Sequence, residues 1–467
     1  MSDELQAAPG SRIYVTESLT NVTDKVTGSI AKSVTGKDYF KAIEKNEKVL
    51  VQQCETSQDY RCEVYSFHGG LEYFLIKQLA IRDVRLVYAP PSNIGKFGGD
   101  TDNWMWPRHT GDWSFYRAYV NKDGKPADYA ADNVPFEPKT FLKVNANGVE
   151  ESDYVMVLGY PGRTNRYRNA QEVENQFNLV YPTAKRYREE YIDVIKSTAE
   201  AGSEARIKYE STLAGLANYA KNYGSMIESF HKGDMLSRKQ QELKELQTWI
   251  NASKKRKQKY GKTLTELDTL ITKGQENQER DLILAYIGRT NLIGVSKRLY
   301  RLANEKNKPG TERKQGYQER DMNRFTQGMK RVNRRYDANV DKAVLRHFMA
   351  QYAEFPLSER NTTFDQFFGL DKTFDAKKFS AKLDKMHSET QLDEESVRLA
   401  WMNKSVEEFK SSKDPYIQFA LSQYENDQKL EQEAEDLAGK LAQIRPQFMK
   451  AMIAYKKSKG EPVYLRL

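Results

Sequence analysis

From about residue 181 to residue 459 the apolar residues recur near every 3.6 positions, prolines are few and charges are dense. That period belongs to amphipathic helices, which bury one stripe and solvate the rest. Residues 1–162 follow another rule, with short alternating runs between turn signals, the pattern of an antiparallel sheet or barrel. After the helical stretch the chain turns at Gly460 and ends on the strand-like Pro462-Val463-Tyr464-Leu465-Arg466-Leu467. A self-contained helical domain need not return to extended structure; an inserted one must. The expected fold class is therefore α+β. It has a β portion over 1–162, an inserted all-α domain over 163–459, and the start of a return to the β portion over 460–467.

Within the β portion, strands are expected over 11–17, 63–67, 71–78, 83–88 and 113–120, with a helix around 38–47. His68-Gly69-Gly70 closes a hairpin between the second and third strands. Residues 154–159 (YVMVLG) read as a buried strand ended by Tyr160-Pro161-Gly162. In the helical portion, Pro182-Thr183 and Gly202-Ser203 mark two helix starts, with Thr183 and Ser203 as N-caps. Helices are expected over 203–231, 235–259, 264–307, 319–355, 394–411 and 413–459. In the first of these, Ile207, Leu213, Leu216, Ala217, Ala220 and Ile227 form one stripe, with Asn218 and Asn222 one turn apart on its edge. No repeat of fixed period is present, which argues against a solenoid.

Charge and motifs exclude several functions. The 74 basic and 65 acidic residues leave a net charge of +9, but the two signs are interleaved. That is a solvated, ion-paired surface rather than a phosphate-binding stripe, so no nucleic-acid partner is expected. The densest run, Lys254-Lys255-Arg256-Lys257-Gln258-Lys259, suits the C-terminus of the preceding helix. No run of eighteen apolar residues exists, so no membrane span is expected, and residues 1–12 lack the apolar segment of a secretory signal. Cys54 and Cys62 flank a polar turn, and the sequence leaves a disulfide and two thiols equally open. His68, His109, His231, His347 and His387 are scattered, without metal-ligand spacing. With no phosphate-binding or dinucleotide motif either, no metal and no cofactor is expected.

One stretch concentrates costly residue types. Gly98-Gly99-Asp100-Thr101-Asp102-Asn103-Trp104-Met105-Trp106-Pro107-Arg108-His109-Thr110-Gly111-Asp112 holds two of the five tryptophans beside three carboxylates. Aromatic rings flanked by directed polar groups are expected of a pocket wall; a β-turn stapled by aromatics is the plainer alternative. Asp112 opens an aromatic strand, where a carboxylate can fix the tautomer of a histidine base. His109, three residues away, reads as structural. Asn103 offers a carbonyl oxygen and Trp104 a wall to a peptide ammonium, which has donors and no acceptor. No G-x-S-x-G serine is present, so the chain shows an orienting acid without a nucleophile.

This stretch resembles a motif of the bacterial dipeptidyl-peptidase 7 / dipeptidyl-peptidase 11 family, serine exopeptidases with a chymotrypsin-like double barrel and a large helical insertion. Arg82-Asp83-Val84-Arg85-Leu86-Val87 with Ala89-Pro90-Pro91, Gly159-Tyr160-Pro161-Gly162-Arg163-Thr164, Leu216-Ala217-Asn218-Tyr219-Ala220-Lys221-Asn222 and Arg334-Arg335-Tyr336-Asp337 with Val340-Asp341-Lys342 are similar to further family stretches. The resemblance runs from about residue 11 to 459. It implies that 1–162 is an incomplete portion of the chymotrypsin-like barrel. It implies Asp112 as the triad aspartate, and Asn103, Trp104 and Asn218 as the residues that hold a substrate's α-amino group. It implies a serine-type dipeptidyl-peptidase acting on oligopeptides with a free N-terminus, periplasmic or secreted, and compatible with a homodimer. The triad histidine and serine have no match, so the reading expects a partial sequence that is inactive alone. A catalytically dead peptide-binding relative and a basic helical scaffold or nucleic-acid-binding protein stand as alternatives.

Overall fold

The computed structural model describes residues 4–5, 10–157, 165, 167–370 and 374–463. The chain divides into two compact units. The first comprises residues 1–29, 46–102 and 107–168; the second comprises 30–45, 103–106 and 169–467. The α+β class is observed, with helices predominating and two small antiparallel sheets.

The sheets lie in the first unit. Strands β1 (Ile13–Asn21), β2 (Tyr60–Phe67) and β3 (Glu72–Ile81) form one, in the order β1-β3-β2. The expected hairpin is present: Phe67 pairs with Glu72, and the turn is made by His68, Gly69 and Gly70, all at positive φ. Strands β4 (Asp83–Tyr88), β5 (Phe115–Val120) and β6 (Val134–Pro135) form the other. Asp83 is fully buried at the start of β4. Burial alone would raise its carboxyl pKa, but hydrogen bonds from Arg85 and Asn133 outweigh that and hold it below its usual value. Arg85 also lies over the Tyr119 ring, 3.8 Å from its centroid. Cys54 and Cys62 form a disulfide that ties the end of the Gly36–Cys54 helix to β2.

The expected strand at 154–159 is not observed over its described part, 154–157. Residues 154–157 are irregular and pair with no strand, and Val157 is 97% exposed. An apolar run signals a strand only where a neighbour supplies backbone partners and cover. Residues 158–164, which include the whole Gly159–Thr164 motif, and 464–467 of the terminal strand lie outside the described residues.

The second unit is helical. The cap expected at Ser203 is present, its Oγ accepting from Arg206 N; a cap not anticipated, Asp414, accepts through Oδ1 from Tyr416 N and Ile417 N to start the 44-residue helix Pro415–Ser458. The cap expected at Thr183 is not observed, because helix is already running there from Ala170 through a π-turn at Gln176–Val180. Four helices expected from periodicity are broken; the 394–411 stretch is two, Glu395–Trp401 and Val406–Ser411, the second capped by Ser405. The 235–259 stretch stops at Asn251 and restarts after Ser253, which caps Lys254–Tyr260. The lysine run therefore begins a helix instead of ending one. The 264–307 stretch is three helices, interrupted by left-handed Asn277 and again between Ile287 and Asn291. The 319–355 stretch breaks before Asp337, which caps Ala338–Tyr352. Local capping competes with helix continuation wherever Ser, Asp or Asn reaches its own backbone. In the Glu204–Lys232 helix Leu213, Leu216 and Ala220 are buried as expected, but Ile207 is exposed and Tyr209 takes the inner position.

The core of this unit encloses polar groups. Asp341 is buried and accepts from the Asn291 backbone N (2.7 Å) and Nδ2 (3.0 Å), at the start of the Asn291–Lys306 helix. Desolvation pushes its pKa up to about 6, against the pull of those hydrogen bonds. His387 Nε2 lies 4.0 Å from Asp341 Oδ2. Nδ1–H donates to the Leu383 carbonyl (3.0 Å) and Nε2 accepts from the Tyr416 hydroxyl (3.2 Å), one donor and one acceptor as a neutral imidazole requires, and burial lowers its pKa to about 4.

Candidate functional site

The glycines at the head of the tryptophan stretch adopt backbones that other residues avoid. Gly98 and Gly99 have φ of +78° and +50°, and a Cβ on Gly98 would overlap the Asp102 carboxylate. The short Gly99–Asp102 helix leads into Asn103 and Trp104. Trp104 itself sits at φ +59°, a conformation that costs an L-residue about 1–2 kcal/mol. Such a residue persists only where its surroundings hold it.

The hold comes from the Glu204–Lys232 helix. Trp104 Nε1 donates to Asn218 Oδ1 at 3.0 Å, and Asn103 Nδ2 donates to the same oxygen at 3.1 Å. An indole N–H can only donate, so Asn218 must turn its oxygen toward Trp104. Asn103 must then turn its nitrogen toward Asn218. This leaves Asn103 Oδ1, an acceptor, and Asn218 Nδ2, a donor, as the amide ends this contact does not use. Asn103 and Asn218 are half-buried, and Trp104 is 50% exposed. The pair presents one acceptor beside one donor on an aromatic shelf, which matches an ammonium and an adjacent carbonyl of a peptide's amino end.

Asn218 is kept in place by packing beneath its helix. Tyr209, Leu213, Leu216 and Ala220 are buried. Arg188, on the Tyr181–Thr198 helix, lies 5.4 Å and 4.8 Å from the ring centroids of Tyr219 and Tyr223. Its Nη1 donates to the Ala184 carbonyl (2.8 Å) and the Tyr286 hydroxyl (2.5 Å). Sequence reading missed this buttress. The Tyr219/Tyr223 spacing of one helical turn was its visible half; Arg188 comes from a different helix and carried no signal.

The four candidate residues thus stand as follows. Asn103, Trp104 and Asn218, up to 115 positions apart in sequence, meet in one hydrogen-bonded cluster of the second unit. Asp112 is exposed and belongs to the first unit, three residues before β5. Its loop is fixed by Gly111 N donating to Ile94 O (3.0 Å) and by Trp113 stacking on Tyr88 at 5.1 Å. A Cβ on Gly111 would come within 2.7 Å of Ile94. Trp106 is not part of a pocket wall; it is 89% exposed. His109 is exposed rather than packed. Among the described residues no cluster of His, Cys, Asp and Glu suits a metal ion, and no helix is long and apolar enough to cross a membrane.

Known proteins resemble this chain throughout. It is 40% identical over 465 residues to an Asp/Glu-specific dipeptidyl-peptidase of Shewanella putrefaciens, covering 99% of this chain and 62% of that protein. It is 36% identical over 299 residues to dipeptidyl-peptidase 7 of Porphyromonas gingivalis, covering 63% of this chain and 41% of that one. Among solved structures, Porphyromonas endodontalis DPP11 in complex with the dipeptide Arg-Glu superimposes with a TM-score of 0.73 at 25% identity, over 98% of this chain and 64% of that one. The chain therefore spans less than two thirds of the length of these relatives. Residues 1–465 match the peptidase S46 family, and the chain belongs to that family.

Proposed function

We propose that this chain carries the amino-end recognition site and the orienting acid of a serine-type dipeptidyl-peptidase acting on oligopeptides. The observation that carries the reading is the Asn103–Trp104–Asn218 cluster, whose remaining acceptor and donor suit a free peptide N-terminus. Fixing the α-amino group sets the register of the chain behind it. With room for two residues beyond the anchor, the second peptide bond is the one presented for cleavage. In this reading Asp112 holds a histidine in the tautomer that accepts the nucleophile's proton, and stabilises the imidazolium formed. Residues 1–162 are the barrel portion, 163–459 the inserted helical domain, and 460–467 a return toward the barrel. The Cys54–Cys62 disulfide supports an oxidising compartment, hence a periplasmic or secreted protein.

The test is equilibrium binding of a fluorescent, uncharged hexapeptide to the chain, measured by anisotropy with its amino end free or acetylated. Acetylation removes the cation and two donors, and binding falls at least tenfold. Equal binding of the two peptides refutes the reading.

A further inference from the structure

Five arginines on neighbouring stretches of the helical unit have no ion-pair partner among the described residues. Arg298 lies on the Asn291–Lys306 helix, Arg324 and Arg331 lie on Met322–Arg331, and Arg334 and Arg335 follow it. Arg324, Gly328 and Arg331 are spaced by four and three residues, which places them on one helix face. A Cβ on Gly328 would stand 3.2 Å from Arg298 Nη2 and 3.5 Å from Nη1. The guanidinium of Arg298 therefore lies against the helix where a side chain is missing. Its Cζ is 4.8 Å from the centroid of the Phe325 ring. Glycine inside a helix costs about 1 kcal/mol relative to alanine. Here it makes room for a third cation between two others.

None of the five forms an ion pair among the described residues, although Arg301, Lys314 and Arg360 in the same unit each face carboxylates. Arg298 is an exposed residue, while its guanidinium, packed against Gly328 and the Phe325 ring, is desolvated. That desolvation, then Arg324 and Arg331, lowers its pKa. Burial, then Arg331 and Arg334, does the same to Arg335. Like charges held together by packing are stabilised by an anion from outside the chain.

The patch is tied to the helix that bears Asn218. Arg335 Nη2 donates to Ser211 Oγ at 3.2 Å. Ser211 and Asn218 are seven positions apart on the Glu204–Lys232 helix, so they share a face and stand about 10 Å apart along its axis. An extended peptide covers that distance in about three residues. Planar guanidinium forks match carboxylates in geometry as well as charge.

We propose that Arg298, Arg324, Arg331, Arg334 and Arg335 form a second contact surface for oligopeptides, one that takes acidic side chains a few residues beyond the anchored amino end. The proposal rests on the amino-end reading above, and the experiment separates the two. Two hexapeptides with free amino ends, identical except for Glu or Gln at positions four to six, are compared by anisotropy at low and high salt. The Glu peptide binds about tenfold tighter at low salt, and the gap closes toward parity at about 0.5 M salt. Arg298→Gln combined with Arg331→Gln removes the preference and leaves the Gln peptide's affinity unchanged. Gly328→Ala displaces the Arg298 head and weakens the preference in a helix of undiminished stability, which rules out misfolding as the cause. Equal binding of the Glu and Gln peptides overturns the proposal while leaving the amino-end reading intact. Displacement of the Glu peptide by inorganic phosphate or by anionic phospholipid vesicles, at concentrations where free glutamate-rich peptide fails to compete, also overturns it.

Discussion

Replacing His387 by Gln exposes a compensation hidden in the core of the helical unit. In the folded chain His387 titrates near 4, against 6.5 for a free imidazole, because burial disfavours its cation. As pH falls below 6.5 the unfolded chain takes up that proton first, so the group's contribution to stability is lost between pH 6.5 and 4. A shift of about 2.5 units corresponds to about 3 kcal/mol. Asp341 acts in the opposite sense. Its folded pKa of about 6 lies above the ordinary aspartate value of 3.8, so the folded chain binds the proton first and gains stability as pH falls from 6 toward 4. The two terms are similar in size and offset each other in the wild type. Gln at 387 can still donate to the Leu383 carbonyl and accept from Tyr416, but it does not titrate. Urea unfolding followed by far-UV circular dichroism, at intervals from pH 6.5 to 4, compares the two proteins. The stability of the variant relative to wild type rises by about 3 kcal/mol over that interval. Parallel profiles would sink the assignment of a neutral, buried His387, and a relative fall on acidification would reverse its sign.

Other substitutions test the site and the fold. Asn218→Ala loses two half-exposed hydrogen bonds of about 0.5–1.5 kcal/mol each and regains about 0.5 kcal/mol of helix propensity. Its stability therefore falls by about 0.5–2.5 kcal/mol, read from the urea midpoint, while the free and acetylated hexapeptides become indistinguishable by anisotropy. Replacing Cys54 and Cys62 by Ser opens a loop of eight-residue separation, and the loss is about 2–3 kcal/mol by chain entropy, read from urea midpoints with and without reductant. Gly439→Ala places a Cβ 1.9 Å from the Gly36 carbonyl oxygen. The Gly36–Cys54 helix start must then move off Pro415–Ser458, seen as faster amide exchange across residues 36–40 despite alanine's better helix propensity.

Element positions marked by strong turn residues were readable; breaks that turn on one polar residue, and contacts that depend on distant partners, were not. The β4 strand begins where sequence places it, and the last long helix begins two residues later than the expected 413, after an Asp414 cap that periodicity alone did not single out. The 154–157 run misled because its apolar residues have no strand beside them. Helix breaks at Ser253, Asn277 and Asp337 each turn on a single polar residue that a 3.6-residue period does not register. The site divides the same way. Trp104 and Asp112 stand out by composition, whereas Asn218 is one polar residue on a helix edge until Trp104 reaches it. The Arg298–Gly328 contact joins two helices and leaves no trace in either alone.

The indole at position 104 also works as a one-way valve. Two amides facing each other can swap donor and acceptor ends at little cost, and a site built from them alone would welcome a carboxylate as readily as an ammonium. Because the first link in this relay cannot be reversed, neither can the second, and the two remaining amide ends keep a fixed polarity. A phenylalanine in its place would preserve the shelf and surrender the direction.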